Sequence, residues 1–412
     1  MMPMEVDEKE LKFASFAVPM LGGVYSVASR LRQGLANHGM TVRWIGVGPR
    51  GIQAWNEPGM ESERAFGEVV APDEINMAAQ ARALIEHLEK ARYDGVFIDV
   101  LGGALQTNIA RHLPREFARI LLVHNITPGT YAAARAVRDY VHVTVGVSPR
   151  IRKDLVGRYG FSEAATTCIP NAVNVSAFSP CTRDKWTGGL RLLFLGRIED
   201  QSKGVFWLPR LMEALKGLQI SLTVAGDGPD LAELKRRTGS CRSTVYFTGA
   251  VNPKDVPELM SKHDVFLMPS RYEGFGLTLI EAMAAGCVPV ASRISGVSDS
   301  IIENGKSGFL FPTGDMRKAA DIISHLSRDR SLLEHISANA RAAVGGRYSL
   351  ERQSLSYNEL IRKTLQSPSC LLPPIPLNKW RVPAGLRPGL RTHLPTCTKN
   401  TLRVWRERSG LL

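Results

Sequence analysis

Short apolar runs rich in Val, Ile, Leu and Phe alternate with longer runs whose apolar positions recur every three or four residues, and this grammar is played twice along the chain. The first kind of run predicts buried strands and the second amphipathic helices. Strand and helix in alternation predict parallel sheets with crossover helices, an α/β fold. LKFASFAV opens the first half and is followed by a Pro19-Met-Leu-Gly-Gly turn. A helix comes next, with Val24, Val27, Ala28, Leu31 and Leu35 on one face. TVRWIGVG, YDGVFIDV, FARILLVHN and VHVTVGVS continue the series to about residue 148, where Ser148-Pro149 reads as a helix cap with proline in the first turn. The stretch 169–189 is polar and rich in turn formers. After it the series restarts with LRLLFLGRI and runs through ISLTVAGDG, STVYFTGAV, HDVFLMPS and VPVASRI. The expected architecture is two doubly wound domains facing a central cleft. The expected divisions are a first domain over 1–178, a linker over 179–189 and a second domain over 190–345. Beyond these come a helical segment over 346–365, able to cross back to the first domain, and a tail over 366–412.

Composition changes this picture little, except at the tail. A chain of 412 residues exceeds one ordinary domain, and its 44% apolar and 22% charged content is that of a globular protein. The acidic start, MMPMEVDEKELKF, carries the wrong charge for a secretory signal, so a cytoplasmic location is expected. Six scattered cysteines contain no C-x-x-C pair, which removes zinc and redox motifs from consideration. The net charge of +13 is uneven: Gln366 to Leu412 holds eight Lys or Arg against the single acid Glu407. With no zinc or helix-turn-helix signature, nucleic acid is not an expected partner. The tail is repeatedly broken by proline up to Pro395 and is expected to be extended or disordered. Its cations, with Trp380 and Trp405, would suit peripheral contact with an anionic membrane.

The densest chemistry lies in Arg271-Tyr-Glu-Gly-Phe-Gly-Leu-Thr-Leu-Ile-Glu281. A buried strand ends just before it, Gly274 and Gly276 allow a tight turn, and a helix is predicted to begin near Gly276. Free N–H groups of Phe275, Gly276, Leu277 and Thr278, at the positive end of the helix dipole, would receive a phosphate. Glu281, about one turn further in, would reach ribose hydroxyls, and Glu273 would reach a sugar. Two carboxylates beside a diphosphate need balancing cations. Arg197 and Lys203, in Leu195-Gly-Arg-Ile-Glu-Asp-Gln-Ser-Lys-Gly204, are the candidates. They follow the first strand of the second half, at the carboxyl edge where open α/β sheets bind ligands.

The set GR…KG, GDGP (226–229), FTG (247–249) and E-x7-E resembles the retaining GT-B glycosyltransferases of family 4. Two features of the first half agree. Pro19-Met-Leu-Gly22-Gly23 resembles the family's donor-phosphate loop, and Ile169-Pro-Asn-Ala-Val resembles its I-P-N-G-V, with Ala172 in place of glycine. The resemblance covers residues 11–365 and not the tail. It implies the GT-B fold, two Rossmann-like domains, and a nucleotide-diphosphate sugar as donor substrate. It assigns Arg197 and Lys203 to the diphosphate, Glu281 to the ribose, Glu273 to the transferred sugar, and the backbone at Gly22 and Gly23 to the phosphates. His124, after ARILLVHN, resembles a histidine near the donor sugar and acceptor. A saccharide or lipid-linked acceptor is implied.

No two aspartates stand two residues apart, so no D-x-D metal site is expected, and neither metal nor cofactor. Gly46-Val-Gly-Pro-Arg-Gly51 fits G-x-G-x-x-G but follows the second strand, contains Pro49, and is not expected to open a helix. The rival readings are a nucleotide-sugar epimerase or hydrolase of the same architecture, and a non-catalytic sugar-nucleotide-binding protein.

Overall fold

Two all-parallel sheets organise the chain in the computed structural model, which describes residues 10–20, 22–178, 188–239, 244–366, 371–387, 389 and 394–409. They lie in two units. Unit 1 comprises Met1–Asn171 and Leu350–Pro388, and unit 2 comprises Ala172–Ser349 and Gly389–Leu412. The sheet of unit 1 has β1 (Leu11–Ser15), β2 (Met40–Val47), β3 (Gly67–Val70), β4 (Gly95–Ile98), β5 (Ala118–Val123), β6 (Val143–Gly146) and β7 (Thr166–Cys168). Their order is β3-β2-β1-β4-β5-β6-β7. The sheet of unit 2 has β8 (Leu190–Leu195), β9 (Ile220–Ala225), β10 (Val245–Gly249), β11 (Val265–Met268), β12 (Val288–Arg293) and β13 (Phe309–Pro312). Their order is β10-β9-β8-β11-β12-β13.

β5 and β11 are buried along their whole length, which is why they read as unbroken apolar runs rather than alternating ones. Both sheets reverse direction of winding once, between β1 and β4 and between β8 and β11. The crevice at the carboxyl ends of those strands is where a doubly wound sheet accepts a ligand. Each unit is therefore Rossmann-like, as the alternating pattern and the resemblance imply. β3 and β7 have no counterpart among the expected strands. Both are short edge strands, and GEVV and TTC are too brief and too polar to stand out from loops.

The helix Leu350–Gln366 belongs to unit 1, where it packs on the helix Gly23–Ala36. A Cβ added at Gly34 would lie 2.7 Å from the Ser354 Cβ, so glycine there sets the closeness of the two helices. Tyr357 is fully buried with its ring edge-on to Phe97, centroids 6.3 Å apart.

Three expectations are corrected. The boundary between units falls at Asn171/Ala172, not near residue 178, and residues 173–178 are held in unit 2, where the Val173 amide donates to the Tyr348 carbonyl (2.9 Å). Most of the expected linker, 179–187, lies outside the described residues. The tail is extended over most of 371–387, one of the two expected forms, and departs from expectation only further on, where it is helical. Residues 371–387 lie on unit 1: the Ile375 amide donates to the Arg111 carbonyl (2.7 Å) and the Trp380 ring packs at a tilt against His112, centroids 4.5 Å apart. A 14-residue helix, Thr396–Ser409, follows. Proline forbids helix only until Pro395, whose carbonyl accepts from the Lys399 amide, and no proline comes after it. Finally, Gly48–Trp55 is a helix after all, with Pro49 in its first turn, where the missing N–H costs nothing. Its glycines serve backbone packing, since a Cβ on Gly46 would lie 2.6 Å from the Gly51 Cα.

The Tyr357 hydroxyl is buried without a hydrogen-bond partner among the described residues. Tyr357→Phe is therefore expected to leave stability unchanged or raise it by about 1 kcal/mol. Tyr357→Ala should cost about 3–5 kcal/mol, as for other large core aromatics. Urea unfolding of the two variants beside the parent measures both.

Candidate functional site

The loops after β8, β9 and β11 converge at the carboxyl edge of the unit 2 sheet. The loop after β9 supports the loop after β8 from behind. A Cβ on Gly226 would sit 1.9 Å from the Gly196 carbonyl oxygen, and one on Gly228 would sit 2.4 Å from that of Ile198. The Ile198 amide donates to the Asp227 carbonyl (2.8 Å), and the Asp230 amide returns to the Ile198 carbonyl (3.1 Å). The glycines of GDGP are thus needed because two backbones touch.

Beyond Ile198 the chain makes one short helix, Asp200–Lys203, which ends at Gly204 in a left-handed conformation (φ +64°). A Cβ at Gly204 would meet the Pro269 carbonyl oxygen at 2.4 Å, so this loop is pressed against the exit of β11. Arg271 fastens the two loops together. Its guanidinium donates to the Asp200 carboxylate (2.8 Å) and the Asp200 carbonyl (2.9 Å), and its own amide donates to the Ser202 carbonyl (2.8 Å). The same guanidinium lies 3.8 Å above the Trp207 ring. Asp200 is held in turn, accepting from the Phe206 amide (3.0 Å), while its own amide donates to Asp230 (2.7 Å). The Arg271–Asp200 pair is nearly buried and both carboxylate oxygens of Asp200 have donors, a condition under which such a pair fixes geometry.

On this joint the expected residues come together unequally. Lys203 Nζ meets Glu273 Oε1 at 2.5 Å, and the Ser270 hydroxyl donates to the same oxygen (2.7 Å). Lys203 and Glu273, placed by sequence on different parts of a ligand, are partners of each other in this structure. Arg197 is on the same loop but stands apart, with its side chain largely exposed and its Nε 3.9 Å from Glu199. Phe275 is buried edge-on against Tyr348 (5.7 Å), which anchors the turn into the helix Leu277–Ala285. Gly276 caps that helix with φ +103°, and no acid occupies the first turn. Among the described residues, the amides of Phe275, Gly276, Leu277 and Thr278 donate no hydrogen bond, whereas those of Leu279 and Ile280 donate to the Gly276 carbonyl. Four free N–H groups at a helix start form an anion cradle. Glu281 is buried within the same helix, just over one turn in.

Unit 1 holds the remaining candidates. Gly22 precedes the helix Gly23–Ala36, whose start lacks a side-chain cap. His124 follows β5, and both of its ring nitrogens are shielded and, among the described residues, without a hydrogen-bond partner. Burial pushes its pKa down to about 4, so the imidazole is neutral at pH 7. Ser15 and Asp99, at the carboxyl ends of β1 and β4, line the same small cavity as His124. The Ser15 hydroxyl donates to Asp99 (2.5 Å) and the Phe16 amide donates to its other oxygen (3.1 Å), while burial lifts the Asp99 carboxyl to about 6. The sequence reading passed over Ser15 and Asp99, as it did Asp200, Ser270 and any role for Arg271. An acid closing the apolar run VFID was the available signal for Asp99.

Comparison with known proteins gives two family models. Glycosyltransferase Family 4 matches residues 21–177, and Glycosyl transferases group 1 matches residues 184–343. Alpha-D-kanosaminyltransferase of Streptomyces kanamyceticus is 29% identical over 39% of this chain and 42% of its own length. Sulfoquinovosyl transferase SQD2 of Arabidopsis thaliana is 35% identical over 56% of this chain and 46% of its own. The chain thus spans about half the length of the curated relatives it matches. Anabaena Alr3699/HepE, solved in complex with UDP-glucose, superposes with a TM-score of 0.71 at 18% identity, over 86% of this chain and 100% of that one. Among the described residues no helix is long and apolar enough to cross a membrane.

His124 gives a pH prediction. Its pKa in the folded protein, about 4, lies below the ordinary histidine value. Its contribution to stability is therefore complete above about 6.5 and is lost as pH falls through about 4. Replacing it by glutamine should flatten the acid limb: between pH 6.5 and 4 the parent loses unfolding free energy faster than His124→Gln. Urea midpoints at half-unit pH steps would show it, and parallel curves would contradict it.

Proposed function

The chain belongs to the family 4, group 1 glycosyltransferases, and on that premise we propose that it moves a hexose-type sugar from a nucleotide-diphosphate donor to an acceptor hydroxyl, with retention of anomeric configuration. The observation that carries this reading is the placement of Lys203 and Glu273, 2.5 Å apart, on loops locked together beside an uncapped helix start. The diphosphate would lie on the amides of Phe275–Thr278, with Arg197 and Lys203 as its cations. Lys203 exchanges part of its contact with Glu273 for the phosphate, and Glu273 is then free to accept from a sugar hydroxyl. Arg197, exposed and weakly held, is free to swing onto the ligand. Glu281 takes the ribose. Gly22, Gly23 and His124, which belong to unit 1, keep the roles that the resemblance implies.

In this proposal the acceptor oxygen bonds to the anomeric carbon on the face from which the phosphate departs. The bond from that carbon to the leaving phosphate oxygen breaks, and the phosphate takes the acceptor proton. Lys203, the helix-start amides and Arg197, once it has swung onto the ligand, stabilise the departing charge, so no divalent metal is required. Acceptors of the saccharide or lipid-linked class, and a place in polysaccharide, lipopolysaccharide or glycolipid synthesis, accord with this chemistry. The helix Thr396–Ser409 adds support for a peripheral membrane contact, since Leu402 and Trp405 are about half exposed beside Lys399 and Arg406. Sedimentation with anionic vesicles that weakens as salt rises is the expected result, and salt-insensitive sedimentation would speak against it.

Turnover of UDP- and GDP-sugars, scored with and without EDTA, tests the central reading. The chelator should leave the rate unchanged. Arg197→Ala should lower kcat by about 10²-fold, the scale of losing one charge-stabilising donor. Glu273→Gln should also lose rate, and a Glu273→Gln variant at full rate would remove that residue from the site. Among the donors, the true one at a hundred times its Kd should stabilise the protein by about 2.7 kcal/mol.

A further inference from the structure

The helix Thr396–Ser409 lies beyond both family models, yet it is fastened across the carboxyl edge of the unit 2 sheet. It touches the loops that follow three adjacent strands. After β11, the Arg403 guanidinium sits 4.1 Å over the Tyr272 ring. After β12, Glu407 accepts from the Ser295 amide (3.4 Å). After β13, Arg408 Nε donates to the Thr313 carbonyl (2.8 Å). Asn400, Arg403 and Glu407 are spaced three and four apart, so one helix face makes the main contact, with Asn400 buried. Leu402, Trp405 and Arg406 remain on the exposed side.

Stability alone does not account for an arginine at position 403. Its Nη1 is shielded from solvent and has no hydrogen-bond partner among the described residues, an arrangement that costs folding free energy. What it does have is the face of Tyr272, the residue next to Glu273. Burial raises the pKa of the Tyr272 hydroxyl, the Arg403 charge opposes that rise, and the carboxylates of Glu199 and Glu273 add to it. Arg403 therefore bears on the one loop that carries Glu273, in a place where neither family model extends.

We propose that the C-terminal helix is a built part of this site, with Arg403 a positioning residue whose stacking on Tyr272 holds the loop 270–276, and with it Glu273, in the geometry needed for transfer. The inference rests on the transferase reading for its consequence, but the contact itself can be tested without it. A cation over a ring restrains the loop's motion and leaves the free amides at Phe275–Thr278 unobstructed, so sugar placement should suffer and phosphate binding should not.

Hydrogen exchange on the full chain compares the parent with Arg403→Ala and Arg403→Lys. Peptides covering 269–276 should exchange at least several-fold faster in Arg403→Ala, those covering 294–296 and 313–315 should not change, and Arg403→Lys should recover most of the protection. With donor and acceptor, kcat in Arg403→Ala should fall about tenfold, while the Kd for UDP or GDP stays within twofold. Unchanged exchange at 269–276, or an equal rise at all three loops, overturns the proposal, as does a kcat within twofold of the parent. A parent chain that binds no nucleotide sugar but keeps the Arg403-dependent protection would sink the transferase reading and leave the loop contact standing.

Discussion

Arg271 and Asp200 form the joint on which the chemistry proposed for unit 2 would depend. Each loop at that sheet edge is short and polar, and neither would hold a lysine or a glutamate still by itself. The guanidinium reaches a carboxylate, a carbonyl and an indole face at once, while its backbone amide binds a third point on the partner loop. A joint of this kind is costly to build from charged groups and worthwhile only if the geometry it fixes is used. The geometry it fixes is the meeting of Lys203 with Glu273 beside four amides at a helix start that are unpaired among the described residues.

The glycines act on the same edge by allowing approach. Gly226 and Gly228 let two loops touch through their backbones, Gly204 lets the cationic loop press on β11, and Gly276 admits the left-handed turn that starts the helix. Their spacing in the sequence follows from those contacts. In unit 1 a different device operates. His124 and Asp99 are both pushed by burial toward their neutral forms, which suits a small shielded cavity rather than an open charged one.

Much of this could be read from the sequence because the relevant signals are local. Runs such as RILLV and VFLM are buried on both faces and look it, and Ser148 with Pro149 opens a helix as capping chemistry requires. The turn at Gly274–Gly276 and the helix after it were legible for the same reason. What was not legible depends on contacts between distant segments. Arg271 and Asp200 are 71 residues apart, and nothing near either says that they meet. β3 and β7 are edge strands with little burial to mark them. In the tail only the last helix escapes the sequence, because proline acts only near where it stands and Thr396–Ser409 has none. Pro49 misled, since in a first helical turn it is tolerated.

The claim on which the account turns is that a lysine on one locked loop and the bare helix start on the other grip a pyrophosphate. Calorimetric titration of UDP and of GDP into the full chain and into Lys203→Met addresses it most directly. One nucleotide should bind the parent, and the variant should bind it at least tenfold more weakly, about 1.4 kcal/mol, with an unchanged far-ultraviolet spectrum. Equal affinity in the two proteins would contradict the account.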